Sequence, residues 1–74
     1  MAKINLSARL ARNVKREREK RKLSQRGFGT IVKLSHAYIN QIENATRDNV
    51  SISTIEQIAN GLGIDPIVLL KERA

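Results

Sequence analysis

The chain has 74 residues, no cysteine and a formal net charge of +7 at pH 7. This length suits one domain near the lower size limit for a single hydrophobic core, so the net stability of an isolated monomer should be modest. Without cysteine there is no disulfide, thiolate metal site or cysteine nucleophile. No stretch has the length and apolar character of a membrane span or a secretory signal, so we expect a cytoplasmic protein. We also expect no metal and no cofactor.

The positive charge is concentrated near the N-terminus. Residues 1–26 contain ten Lys or Arg and two Glu, a net charge of +8, whereas the other 48 residues have a net charge of −1. A basic segment of this kind favours contact with the phosphates of nucleic acid. Only Phe28 and Tyr38 are aromatic. This argues against single-stranded nucleic acid, which usually needs several aromatic side chains for base stacking.

The first predicted helix begins after Ser7 as its N-cap and continues to about Lys22. Its first half has one apolar face, with Leu6, Leu10 and Val14 spaced four residues apart. The rest of the helix, from residue 15 onwards, is entirely charged, so it must be held by neighbouring helices and by its own mixed charges. A membrane-surface helix would need a wide apolar face, which this half lacks.

Two short helices separated by a tight turn are predicted over 25–32 and 36–43. Ser24 and Ser35 are their N-caps, since a serine side chain accepts a hydrogen bond from a free N–H group at a helix start. Gly29 lies where two helices that cross steeply bring their backbones together. Each helix has one apolar stripe, built from Phe28, Ile31, Val32, Leu34, Ile39 and Ile42.

The fourth helix is predicted to follow Ser51 as N-cap, and Gly61 and Gly63 to end it. Asp65 followed by Pro66 predicts the start of a fifth helix, because Asp caps helices and Pro fits the first helical position. The apolar positions with helical period that predict the buried face of the fourth helix are Ile52, Ile55, Ile58, Ala59 and Leu62. The sequence therefore predicts an all-α fold, a compact five-helix bundle that forms one domain over 1–74, with a loop over 44–50.

Three segments together resemble the XRE-type helix-turn-helix family, which includes lambdoid phage repressors, Cro proteins, restriction-modification controller proteins and many antitoxins. They are LSQ at 23–25, SxxYIxxIE at 35–43 and SISTIEQIANGLGIDPIVLL at 51–70. The resemblance covers almost the whole chain and implies a lambda repressor-like DNA-binding domain whose recognition helix spans 36–43. The chain departs from the family in two places: Lys33 stands at a turn position that is often Gly, and the loop before Ser51 is one residue longer.

The resemblance implies two sets of DNA contacts. Base edges would be met by His36, Ala37, Asn40 and Gln41. Among these, Gln41 can bond N6 and N7 of adenine, His36 can donate to guanine, and Ala37 can touch a thymine methyl group. Phosphates would be bound by Gln25, Arg26, Tyr38, Asn44, Arg47 and Asn49. The alternatives are that the first set is merely exposed, that Gln25 only caps its helix, and that Tyr38 only packs its ring.

The family resemblance also implies a structural ion pair between Arg18 and Glu43; the alternative is that Arg18 is one more solvated charge. Near the C-terminus, the apolar residues cannot all face the core of so small a chain. We therefore predict a two-fold homodimer interface, although the whole segment could instead fold back as core. Its candidate residues are Ile64, Ile67, Val68 and Leu70.

Together these features predict a sequence-specific transcriptional regulator that acts as a homodimer on a palindromic operator in double-stranded DNA. A restriction-modification controller protein is the first interpretation. A Cro-like or short phage repressor and an antitoxin are alternatives of the same fold, and RNA polymerase is open as a further partner. A protein-interaction module that does not bind DNA is the alternative from another class.

An enzyme with a small-molecule substrate is not favoured. His36 is the single histidine, and it has neither a cysteine nor a carboxylate at metal-ligand spacing. No nucleophile is paired with a base. The two glycines at 27–29 lie inside a predicted helix and lack the lysine of a phosphate-binding loop.

Overall fold

The computed structural model describes residues 5–47 and 49–72, and these form five α-helices without a strand. The helices are Leu6–Lys20 (α1), Gln25–Val32 (α2), His36–Glu43 (α3), Ile52–Leu62 (α4) and Ile67–Leu70 (α5). α1 packs against α3 and α5, and α2 packs against α3 and α4. The all-α, helix-turn-helix prediction is confirmed. Within the described ranges, no helix combines the length and the apolar character needed to cross a membrane.

Both predicted ends of α1 are wrong. Asn5 rather than Ser7 is the N-cap, because its side-chain oxygen accepts a hydrogen bond from the Ala8 N–H at 3.0 Å. At the other end, Lys20 is the last helical residue and Lys22 has a φ of 57°. A left-handed residue cannot continue a right-handed helix, so the chain turns there toward α2.

The core takes residues from all five helices: Leu10, Val14, Phe28, Val32, Ile39, Ile42, Ile55, Ile58, Ala59 and Leu69. The prediction that three further apolar residues are buried is wrong. Leu6 is 53% exposed, Ile31 45% and Ile52 78%. Leu6 and Ile52 each begin a helix and line the same open cleft. On α2, Val32 is buried, whereas its neighbour Ile31 is turned to solvent.

Two polar side chains are buried in α1. Asn13 donates through Nδ2 to the carbonyl oxygens of Leu69 and Lys71, both at 2.9 Å, and so ties the C-terminal segment to α1. Glu17 accepts a hydrogen bond from Arg21 at 2.7 Å, one turn along the helix. Among the described residues, no buried side-chain nitrogen or oxygen lacks a hydrogen-bond partner.

The turn between α2 and α3 begins at Lys33, which has a φ of 62° and is left-handed. The Leu34 N–H donates to the Gly29 carbonyl at 2.9 Å, and a Cβ atom on Gly29 would collide with the carbonyl oxygen of Leu34. From α4, the Gln57 side chain donates to the carbonyls of Val32 and Lys33 at 2.8 and 3.0 Å. This turn is therefore fixed both from within and by α4.

Of the two glycines expected to end α4, only Gly63 does so, with a φ of 69°. Gly61 lies inside the helix, and a Cβ there would stand 2.8 Å from the Cγ1 atom of Val32, so α4 and α2 pack closely at that point. Beyond α4, the Asp65 side chain accepts a hydrogen bond from the Ile67 N–H at 2.9 Å, and Pro66 has helical dihedral angles. Both residues lie at the start of α5, but Pro66 instead of Asp65 is the N-cap, and Ile67 instead of Pro66 is the first helical residue.

Candidate nucleic-acid interface

The rotation of α3 about its own axis is fixed by its two buried isoleucines. Ile39 is fully buried and Ile42 is 2% exposed, and the Ser35 side chain caps the helix by accepting a hydrogen bond from the Tyr38 N–H at 3.1 Å. The opposite side of the helix is therefore turned to solvent. We call this side the α3 face; its exposed residues are His36, Ala37, Asn40 and Gln41.

Gln25, at the start of α2, links α2 to α3 through two side-chain hydrogen bonds. Its Nε2 donates to Oε1 of Glu43 and its Oε1 accepts from Nδ2 of Asn40, each at 3.2 Å. Asn40 in turn accepts a hydrogen bond from the Asn44 side chain at 3.1 Å. Gln25, Asn40 and Asn44 are thus held by the protein itself, and the structure places Gln25 beside the α3 face.

Arg18 reaches from α1 to the last turn of α3. Its Nε and Nη2 donate to the two carboxylate oxygens of Glu43 at 2.7 and 3.0 Å, and its Nη1 donates to the Leu23 carbonyl at 2.8 Å. The hydrogen bond to Glu43 raises the pKa of Arg18, partly offset by burial. The two residues matched to a family ion pair are therefore together, and they connect α1, α3 and the segment that leads into α2.

Arg47 lies in the loop after α3 and folds back onto that helix. Its Nε donates to Oε1 of Gln41 at 2.7 Å, and its guanidinium lies 4.4 Å from the centre of the Tyr38 ring. Just before it, Ala45 has a φ of 55°, and Thr46 donates through its main-chain N–H and its hydroxyl to the Gln41 carbonyl at 3.0 and 3.2 Å. Gln41, predicted to contact a base, and Arg47, predicted to contact a phosphate, are therefore in direct contact with each other.

The other predicted phosphate ligands lie apart from these contacts. Arg26 is exposed in the first turn of α2, where helix geometry gives main-chain N–H groups no acceptor within the helix itself. Asn49 is exposed in the loop that leads to α4. Among the described residues, no group of three His, Asp or Glu side chains is placed to hold a metal ion.

Sequence reasoning missed two contributors to this surface. Gln57 clamps the turn before α3 from a distant helix, and no local pattern marks it. Thr46 anchors the loop that carries Arg47. By contrast, the Glu17–Arg21 contact has the i, i+4 spacing that favours an ion pair on a helix, so the sequence did contain a signal for it.

Comparison with known families identifies this arrangement. Residues 14–69, more than half of the chain, match the family model described as Helix-turn-helix, HTH_3. The chain belongs to the HTH_3 helix-turn-helix family. The XRE-type resemblance is thereby confirmed, and the HTH_3 match extends from the middle of α1 to the end of the core in α5.

Several solved HTH_3-like structures are similar. The hypothetical transcription factor NHTF from Neisseria is 28% identical with a TM-score of 0.84, covering 96% of this chain and 85% of its own. The restriction-modification controller protein C.AhdI from Aeromonas hydrophila is 27% identical with a TM-score of 0.78, covering 85% and 94%. An HTH_3 family transcriptional regulator from Vibrio cholerae is 26% identical with a TM-score of 0.81, covering 86% and 35%.

The same fold is found within an enzyme. Hydroxypropylphosphonic acid epoxidase from S. wedmorenis is 20% identical with a TM-score of 0.80, and the match covers 89% of this chain but 35% of the epoxidase. That similarity concerns the fold alone. A search of curated protein sequences gives no significant match.

Proposed function

We propose that this protein is a sequence-specific DNA-binding transcriptional regulator that acts as a homodimer on a palindromic operator. The observation that carries the proposal is the α3 face, because two buried isoleucines on the opposite side turn four small or polar residues outward together. In helix-turn-helix proteins the second helix of the motif enters the major groove. Membership of the HTH_3 family and the similarity to transcription factors support this reading.

In the proposed complex, base edges are read from the α3 face and the phosphate contacts set its register. His36 and Gln41 have donors or acceptors for bases, and Ala37 has a methyl group for thymine. The main-chain N–H groups at the start of α2 favour a phosphate, together with the positive end of the helix dipole. The proposed phosphate ligands are Gln25, Arg26, Tyr38, Asn44, Arg47 and Asn49.

The homodimer is proposed from the apolar surface at the C-terminal end. Ile67 is 58% exposed in α5, whereas Leu69 of the same helix is fully buried. The other three interface candidates, Ile64, Val68 and Leu70, are partly buried. A self-complementary contact through this surface would give two-fold symmetry, and a two-fold protein matches a palindromic operator.

Within this function, we propose the role of a restriction-modification controller protein. The support is the similarity to C.AhdI, a protein of that role whose length is matched over 94% by this chain. The flanking genes give the test: a methyltransferase gene and an endonuclease gene beside this one are expected. A toxin gene there would contradict the controller role and support an antitoxin.

Selection from duplexes with a random central segment tests the proposed function. We expect enrichment of sites with two inverted half-sites whose centres lie about 34 Å, or one helical turn, apart. A Gln41→Ala variant is the matched control, and it should lose enrichment at one base pair of each half-site. The absence of any enriched sequence would contradict sequence-specific binding and favour a protein-interaction module. Enrichment of a single asymmetric site would contradict the homodimer.

A further inference from the structure

The contact between Arg47 and Gln41 bears on the orientation of the Gln41 side-chain amide, which matters for reading a base. A side-chain amide has a donor end and an acceptor end of nearly equal shape. The two ends have different partners, since adenine offers a donor at N6 beside an acceptor at N7, whereas guanine offers acceptors at both O6 and N7. An amide that rotates freely can satisfy either base, so it discriminates poorly between them.

Arg47 removes this freedom. A guanidinium has only donors, so its Nε bonds the acceptor end of Gln41, and the 2.7 Å distance is short for such a bond. Because the amide oxygen points toward Arg47, the orientation of the whole amide group is set. The carbonyl oxygen keeps a second lone pair, and the Nε2 hydrogens of Gln41 remain available to a base.

The guanidinium is itself held in place. It lies over the Tyr38 ring, 4.4 Å from the ring centre, a geometry that favours a cation–π contact. The backbone before it is anchored by the two hydrogen bonds from Thr46 to the Gln41 carbonyl. Tyr38, Gln41 and Arg47 are therefore linked in one side-chain cluster on α3 and the loop that follows it.

We propose that Arg47 is a positioning residue for base reading. It fixes the orientation of the Gln41 amide and thereby sharpens discrimination at the base pair that Gln41 contacts. This inference rests on the proposed function. It differs from the role of a simple phosphate ligand, whose loss weakens binding to all sequences about equally.

The test measures dissociation constants for a selected duplex and for duplexes with single base-pair substitutions, at one salt concentration. The position read by Gln41 is the base pair at which Gln41→Ala loses discrimination. In wild type we expect discrimination of about 10-fold or more there, as for a good bidentate contact. Arg47→Lys keeps the positive charge but has no planar Nε donor, so we expect discrimination to fall to about 3-fold or less.

Two internal controls separate positioning from general weakening. Arg47→Lys keeps the positive charge that attracts phosphates, so its affinity for random-sequence duplex should fall by a smaller factor than its discrimination at the Gln41 base pair. Glu56→Gln, at an exposed position on α4 outside the proposed interface, should retain discrimination at the Gln41 base pair. Circular dichroism of each variant verifies that the helices are intact.

The inference is overturned if Arg47→Lys keeps full discrimination at that base pair, or if Gln41→Ala changes discrimination at none. It is also overturned if Arg47→Lys weakens all duplexes equally with discrimination unchanged, since that is the behaviour of a phosphate ligand. In these cases wild type still prefers one sequence, so the proposed function stands. A wild-type protein without any sequence preference would overturn the proposed function and this inference together.

Discussion

Arg18 and Glu43 form a two-point ion pair that ties α1 to the last turn of α3. Both carboxylate oxygens are engaged, and the side chains are only 13% and 3% exposed. Gln25 donates to the same carboxylate from α2. The position of the α3 face relative to α1 and α2 is therefore set at Glu43.

Arg18 of this ion pair keeps its charge throughout the neutral range. The hydrogen bond to Glu43 raises the pKa of Arg18 in the folded protein. A raised pKa of a base means that its contribution to stability is fully present below the unfolded-state pKa and is lost only as the pH rises through the folded-state value. Both values lie far above neutrality for an arginine.

Glu43→Gln should lower the free energy of unfolding by about 3 kcal/mol, because it keeps the shape of the side chain but leaves Arg18 without its anion in a partly buried place. Urea denaturation followed by circular dichroism measures this. Glu56→Gln, an exposed position on α4, is the control and should change stability by no more than about 0.5 kcal/mol. The double variant Arg18→Met/Glu43→Leu should be more stable than Glu43→Gln alone; a double variant less stable than the single one would contradict this account of the pair.

Lys33→Gly should raise the free energy of unfolding by roughly 0.5–1 kcal/mol. Lys33 has a φ of 62°, which strains a residue with a Cβ atom, and glycine relieves that strain at some cost in unfolded-state entropy. Lys15→Gly makes the same chemical change at an exposed position inside α1 and should lower stability by about 1 kcal/mol. Thermal or urea denaturation of both variants tests the difference in sign. Equal losses in the two would rule out strain at Lys33.

Ile67→Glu should convert the proposed homodimer into a folded monomer, and operator affinity should collapse because one half-site supplies only half of the contacts. Ile67 is chosen from the four interface candidates because it is 58% exposed, whereas Ile64, Val68 and Leu70 are partly buried. Sedimentation velocity gives the oligomeric state. Ile31→Glu changes an exposed isoleucine on α2 and should remain dimeric. If folded Ile67→Glu also remained dimeric, the interface would lie elsewhere.

The affinity for duplex DNA should fall steeply with salt. Each phosphate contact contributes about −0.9 to the slope of log affinity against log salt concentration, so a dimer with five or more contacts should give a slope steeper than about −4. Fluorescence anisotropy with a labelled duplex, repeated over a series of salt concentrations, measures it. An affinity that does not change with salt would argue against phosphate contacts altogether.

The sequence was most informative where local signals agree. The bounds of α2 and α3 follow from Ser24 and Ser35, because each serine precedes an apolar pattern with helical period and accepts the hydrogen bond of an N-cap. The start of α1 was misjudged because two good capping residues, Asn5 and Ser7, stand close together. Propensity alone does not decide between such neighbours.

Contacts between residues distant in the chain were beyond the reach of sequence patterns. The hydrogen bonds of Asn13 to the C-terminal segment and of Gln57 to the turn before α3 depend on how helices pack, and no local spacing announces them. The same holds for the site. The α3 face could be predicted from the period of its buried isoleucines, but the contact between Gln41 and Arg47 depends on a loop whose path is set by Ala45 and Thr46.

Base reading by the α3 face is tested most directly by comparing wild type and Gln41→Ala on two duplexes, a site obtained by selection and a scrambled sequence of the same composition. We expect wild type to prefer the selected site strongly. We also expect Gln41→Ala to lose roughly 1–3 kcal/mol of binding free energy on that site, with little change on the scrambled duplex. Equal binding of wild type to both duplexes would contradict the claim that this protein reads DNA sequence through the α3 face.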